Sequence, residues 1–222
     1  MKMKLLTAMA VLAVALVSTS MALADTITIG LQEAGYYGGA ITLGPSGNGT
    51  ASFVGSYGTF SGANAVQVSA TGTPGMAEPQ LESNVLNISS SAPGVLSIYV
   101  TEQGLTDLSG VNALLSSFTS NLVTGGITSI QGRTYIDPSN GLWGGTQLAS
   151  NTFTAPGIAS STNATPSLSG PFSLTEVYTI TSTGAGDVNG TIDITNVPEP
   201  VTLSLMGMGL LGLLGLRKKR IV

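Results

Sequence analysis

In the middle of the chain, apolar side chains return at every second position. Leu96, Ile98 and Val100 point one way, and Ser97, Tyr99 and Thr101 point the other. A period of two is that of a β-strand with one buried face, and it excludes a helix there. Leu86 and Ile88 alternate similarly just before, and Ala92, Pro93 and Gly94 supply a turn, so the pair predicts a hairpin. Near the end of the chain, Leu174, Glu176, Tyr178 and Ile180 alternate with Ser173, Thr175, Val177 and Thr179. Ile192 and Ile194 follow after a turn around Gly184 to Asn189, predicting a second hairpin.

Weaker strand patterns cover Thr26 to Leu31, Ala40 to Leu43, Thr50 to Phe60, Ala65 to Ala70, Ile127 to Ile136 and Gln147 to Thr154. Nine or ten short strands separated by Gly, Pro, Asn and Ser predict an all-β fold, an antiparallel β-sandwich of jelly-roll or immunoglobulin-like kind. One segment reads as a helix of at most two or three turns, since after Asp107 as N-cap Val111, Leu114, Leu115 and Phe118 recur at helical spacing; a long loop with core-facing apolar residues would look the same. Asn151 to Pro171, rich in Ser, Thr, Pro and Asn, reads as a long exposed connection. No fixed-period repeat is evident.

Both ends of the chain differ in kind from what lies between. Lys2 and Lys4, an apolar stretch from Leu5 to Val17, and Ala22-Leu23-Ala24 form a secretory signal over 1–24. Signal peptidase would cut it after Ala24, with Ala22 and Ala24 as the small residues at the cleavage site. At the other end, Val197-Pro198-Glu199-Pro200 precede sixteen uncharged residues, Val201 to Leu216, and then Arg217, Lys218, Lys219 and Arg220. As a helix those sixteen would reach about 24 Å, short of a roughly 30 Å hydrocarbon core, so the expected transmembrane helix is a short one. The basic stop belongs on the cytoplasmic side, which puts everything upstream outside. The expected organisation is a signal peptide at 1–24, a β-sandwich ectodomain at 25–196 and a sorting tail at 197–222.

The tail resembles the PEP-CTERM sorting signal of Gram-negative bacteria, through Pro198-Glu199-Pro200, the Leu/Gly/Met helix and the Arg217 to Arg220 cluster. The resemblance covers only about the last twenty-five residues. It implies an exosortase substrate, anchored transiently in the inner membrane and then sent to the cell surface or beyond, commonly with extracellular polysaccharide and biofilm. It implies no activity for the ectodomain. Glu199 is the expected recognition residue, because it is the one charge near the presumed scissile region on the outer side.

Removing both ends changes what the charge says. Residues 25–196 hold ten Asp and Glu against one basic residue, Arg133, a formal charge of −9, whereas the whole chain carries −4. One cation cannot neutralise a phosphate backbone, so nucleic acid is excluded as a partner. The chain has no Cys and no His, which removes disulfides, thiol and imidazole catalysis, and the common zinc and haem ligands. The expectation is a protein that is not an enzyme and needs no cofactor. Glycoside chemistry would need two of Glu78, Glu82, Glu102 and Glu176 to face each other at roughly 5 to 9 Å.

Some residues invite a closer reading. Asp187, Asn189 and Asp193 with Gly190 have the flavour of a calcium loop but lack its bidentate Glu, and Asn189-Gly190 reads better as a hairpin turn. Asp137-Pro138-Ser139-Asn140-Gly141 is a turn sequence. Trp143, in a Gly-rich loop with Tyr135 and Leu142 nearby, is the candidate carbohydrate contact, with Tyr36, Tyr37 and Tyr57 beside it as further stacking aromatics; capping the core is the alternative role. The function expected is that of an exported, non-catalytic surface or matrix protein. A carbohydrate-binding module and a plain membrane-anchored ectodomain are its alternatives.

Overall fold

The computed structural model describes residues 26–35, 41–46, 49–62, 64–73, 76, 79–106, 113–165, 168 and 170–197. The expected signal and C-terminal helices, Tyr36, Tyr37, Glu78, Asp107, Val111 and the whole Pro198 to Arg220 tail lie outside them. Twelve strands are described: β1 (Thr26–Glu33), β2 (Ile41–Ser46), β3 (Thr50–Gly55), β4 (Val66–Thr71), β5 (Leu81–Ser90), β6 (Pro93–Leu105), β7 (Ala113–Val123), β8 (Ile127–Asp137), β9 (Thr146–Phe153), β10 (Gly157–Ala164), β11 (Phe172–Thr183) and β12 (Gly186–Val197). They form two six-stranded antiparallel sheets, sheet A in the order β2-β1-β6-β11-β8-β9 and sheet B in the order β10-β7-β12-β5-β4-β3. Within them β5 to β12 follow jelly-roll connectivity, as β6-β11-β8-β9 against β5-β12-β7-β10. β1 to β4 widen each sheet by two strands.

Neither expected hairpin is one. β5 and β6 lie in opposite sheets, as do β11 and β12, so each two-residue connection crosses the core. A hairpin lays two apolar rows side by side on one sheet; a crossing lays the same rows face to face. Alternation is identical in both cases, because it reports which side chains are buried and not which strand is the neighbour.

The expected helix is also overturned where it is described. Ala113–Val123 is strand β7, with Leu114, Ser116, Phe118 and Ser120 buried at every second position. Leu114 and Phe118 satisfy both periods, and pairing to β10 and β12 settles the choice. The Phe118 ring occupies the space left by the missing side chain of Gly132 on β8. Asn151 to Pro171 is not one long connection either, since it contains the end of β9 and all of β10. β10 is polar because it is an edge strand, paired on one side only, and it leaves Ile158 80% exposed. Asn189 and Gly190 form no turn; they sit at a register shift within β12, opposite a second irregularity that turns Leu86 outward.

The core is the space between the sheets, filled by Ile27, Ile29 and Leu31 of β1, Leu96, Ile98 and Val100 of β6, Leu174 and Ile180 of β11, and Val188, Ile192 and Ile194 of β12. A polar seam runs through it. From sheet A the Tyr178 hydroxyl donates to the Ser83 carbonyl at 2.6 Å and accepts from the Ile192 amide at 2.8 Å, tying β11 to both central strands of sheet B. Beside it the Ser83 hydroxyl donates to Glu176 Oε2, and Ser116 Oγ lies 2.8 Å from Thr134 Oγ1.

Glu176 is wholly buried, and its Oε1 meets no partner among the described residues. Burial, only partly offset by the Ser83 hydrogen bond, pushes its carboxyl well above the ordinary carboxylate range, so the group is held neutral. In the unfolded chain the same group ionises near its ordinary value, so over the interval between the two values unfolding releases a proton and stability falls as pH rises. Asp193, raised to about 6 by partial burial and then by Glu82, has the same sign between 3.8 and that value. The thermal midpoint is therefore expected to be higher at pH 5 than at pH 8. Glu176→Gln should flatten most of that slope and raise the midpoint at pH 8 by about 3 °C or more, the shift for roughly 1 kcal/mol in a chain of this size. Melting curves of both proteins at the two pH values check this, and a wild-type midpoint independent of pH would contradict a neutral Glu176.

Candidate functional site

Three side-chain rows cross the outer face of sheet A. Ser150, Arg133, Val177, Tyr99 and Gly30 form the middle row, one residue from each of β9, β8, β11, β6 and β1. Tyr135, Thr175, Thr101 and Thr28 form the row on one side, and Gln131, Thr179, Ser97 and Gln32 the row on the other. An outer face would ordinarily be wet. Here Thr101 and Thr175 are fully buried and Thr28 nearly so, because the segment between β8 and β9 folds back over them.

That segment is held by a set of hydrogen bonds. Asp137 Oδ1 accepts from the Ser139 amide at 2.8 Å and its hydroxyl at 2.6 Å, and Oδ2 accepts from the Gly141 amide at 3.1 Å. The Ser139 hydrogen bonds lower the Asp137 pKa below its ordinary value, so the loop is fixed around a carboxylate. Asn140 takes φ 58°, its carbonyl accepts from Gln103 Nε2 at 2.6 Å, and its side-chain oxygen accepts from the Gly104 amide at 2.9 Å. The Ser173 hydroxyl donates to the Gly141 carbonyl at 2.7 Å, and the Trp143 amide donates to Thr101 Oγ1 at 3.4 Å. Trp143 itself has φ 61°, a left-handed conformation that a bulky residue adopts only when its surroundings impose it, and such strain gathers at functional sites.

The indole lies on the bare backbone of Gly30, where a Cβ would come within 2.9 Å of Cη2 and Cζ2. Its centroid is 5.5 Å from that of Tyr99, with the planes at 59°. Trp143, Gly144, Tyr99, Tyr135, Val177 and Arg133 enclose a groove of about 170 Å³, comparable to one sugar ring. The aromatics are half-buried and tilted to each other, so they form the walls of a cleft in place of a flat stacking platform. Arg133 Nη2 donates to Thr179 Oγ1 at 2.8 Å, while its buried Nε–H meets no acceptor among the described residues. Leaving such a donor unmet costs on the order of 1–3 kcal/mol.

The other candidate residues do not converge on the groove. Tyr57 is 4% exposed, paired with Phe60 in a tight turn, and is no surface aromatic. Leu142 is exposed beside the groove without lining it. Glu102 and Glu176 are both fully buried on the inner face of sheet A, out of reach of any glycan. Glu82 lies in the other sheet, opposite Asp193 on the outward row of β5 and β12. Asp187 and Asp193 are six residues apart on one extended strand, about 20 Å, and cannot share an ion. Sequence reading singled out Trp143 and Tyr135 but missed Tyr99, Gly30 and Arg133. The available signal was that Arg133 is the one cation of the segment.

Gly30→Val should push the indole off the sheet. Since the chain holds a single Trp, the expected result is red-shifted emission that acrylamide quenches more readily; unchanged emission would mean that Trp143 is not seated on Gly30.

Residues 196–220 match the PEP-CTERM protein-sorting motif. No curated protein sequence matches the chain. Among solved structures, the enzymatically active domain of tailspike protein 4 of bacteriophage CBA120 aligns with a TM-score of 0.33 and 10% identity, over 68% of this chain and 20% of its own. This chain thus spans about a fifth of that domain. The family 11 carbohydrate-binding module from Clostridium thermocellum, solved with a β-1,3-1,4-mixed-linked tetrasaccharide, aligns with a TM-score of 0.29 and 14% identity, over 77% of this chain and 98% of its own. Both likenesses are too distant to locate a ligand.

Proposed function

We propose that this protein is an exported, non-catalytic component of the cell surface or extracellular matrix, delivered through its C-terminal tail. The observation that carries the reading is the sorting motif at 196–220, which begins on the last two residues of β12, Asn196 and Val197. The folded domain therefore passes into the sorting signal without a spacer. The N-terminal segment starts export and signal peptidase removes it after Ala24. The uncharged stretch from Val201 to Leu216 then holds the domain at the inner membrane, with Arg217 to Arg220 inside. Exosortase acts near Pro198, Glu199 and Pro200 and releases or transfers the domain outward.

The chemistry of the side chains supports the non-catalytic reading. No imidazole or thiol exists in the chain, and Glu102 and Glu176 are sealed in the core. A second reading rests on the groove at Trp143, where aromatic walls over a polar sheet face that carries Arg133 suit a sugar ring of extracellular polysaccharide.

Intact mass and fractionation test the delivery reading. The wild type is expected to lack both ends and leave the inner membrane, while deletion of Arg217 to Arg220, or Glu199→Ala, leaves an unprocessed tail and misroutes the protein. A wild type that retains its C-terminal helix and stays in the membrane would make it a plain anchored ectodomain. For the groove, Trp143→Ala should abolish retention on polysaccharide with the melting curve unchanged; loss of the fold would assign Trp143 to the core.

A further inference from the structure

We infer that the groove under Trp143 reads an acidic sugar, and that Arg133 is the residue that recognises its carboxylate. The inference deepens the second reading above and rests on it, since it presupposes that the groove takes a sugar.

Charge placement is the first support. Seven of the ten Asp and Glu between residues 25 and 196 fall among the described residues. Glu33, Glu102 and Glu176 are buried, and Glu82, Asp187 and Asp193 belong to sheet B. On the outer face of sheet A only Asp137 remains, four residues from Arg133, about 13 Å along β8. Its two oxygens are already taken by Ser139 and Gly141. Ser, Thr, Gln, Tyr and Val fill the rest of the described face around Arg133. Among the described residues, the carboxylates are thus kept away from the one cation.

The second support is the state of the guanidinium. Thr179 accepts from Nη2 at 2.8 Å, and Nε is buried without an acceptor among the described residues, so a ligand in the groove would meet the guanidinium at its Nη end. A guanidinium fork matches the two coplanar oxygens of a carboxylate, and a neutral hydroxyl satisfies only one of its donors. Val177, Tyr99 and Tyr135 border the same groove, and such a half-desolvated setting strengthens a charge-assisted hydrogen bond. The groove has room for about one ring, so the ligand is a uronic-acid residue within a longer chain, its apolar face against the aromatics and its carboxylate at Arg133.

The test uses the mature protein as secreted, with polygalacturonate and alginate as acidic probes and the carboxyl-reduced form of each polymer as the neutral match. Wild type is expected to bind the acidic forms at least tenfold more tightly than the reduced ones. Arg133→Gln should remove the preference, so that acidic and reduced forms bind this variant equally, and Arg133→Lys, which keeps charge without the fork, should fall between. Trp143→Ala should weaken both. Equal affinity for acidic and reduced polymers, or an Arg133→Gln protein that melts like wild type and still prefers the acidic forms, overturns the role of Arg133 while leaving a sugar site. Failure of wild type to bind any of the four overturns the sugar site as well.

Discussion

A phenol that reaches across the core sets the frame for the rest. Tyr178 leaves a central strand of sheet A and bonds the backbones of the two central strands of sheet B, at Ser83 and Ile192. Both contacts are to main-chain groups, so they fix where sheet B sits and not merely what packs against it. With no cysteine in the chain, that cross-tie and the apolar rows around it must set the spacing of the sheets. Once the spacing and register are fixed, the parity of every strand follows: Glu102 and Glu176 turn inward, and Arg133, Tyr99 and Tyr135 turn outward onto one face. Removing the phenol hydroxyl would strand a buried donor and a buried acceptor together, the kind of loss that costs more than a typical hydrogen bond is worth.

The seam also explains a departure from ordinary core composition. Ser83, Ser116, Thr134 and Glu176 stand where aliphatic residues would otherwise interdigitate. They are tolerable because hydroxyl meets hydroxyl and the carboxyl stays neutral. On the sheet A surface the same rule operates with the opposite result, since no described carboxylate is placed beside the Arg133 guanidinium. The buried carboxyl loses its charge by protonation, and the half-buried guanidinium is left in the wall of a groove.

Strand existence was legible in the sequence because burial on one face imprints a period of two, and β1, β4, β6, β8, β9 and β11 stand close to where alternation put them. Partners were not legible. Ser91-Ala92 and Gly184-Ala185 are as short as hairpin loops, yet each carries the chain across the core. Leu114 and Phe118 fit helical and strand spacing alike, and only pairing to β10 and β12 decides between them. At the candidate site, Trp143 stood out as a lone indole among glycines. Its seat on Gly30 could not be read, because a glycine there signals only that something comes close. Arg133 was visible as a count of one and became meaningful when the sheet placed it in the same row as Tyr99.

The chain enters and leaves the sandwich at one end. β1 begins at Thr26 opposite Gln103, β12 finishes at Val197 opposite Ala113, and the loop carrying Trp143 springs from Asp137 opposite Ser173. From Val197 to Pro200 an extended chain spans at most about 10 Å. Whatever grips the tail at Pro198 to Pro200 is therefore brought to the end of the sandwich that carries the Trp143 loop, with the crossings at Ser91-Ala92 and Gly184-Ala185 at the far pole.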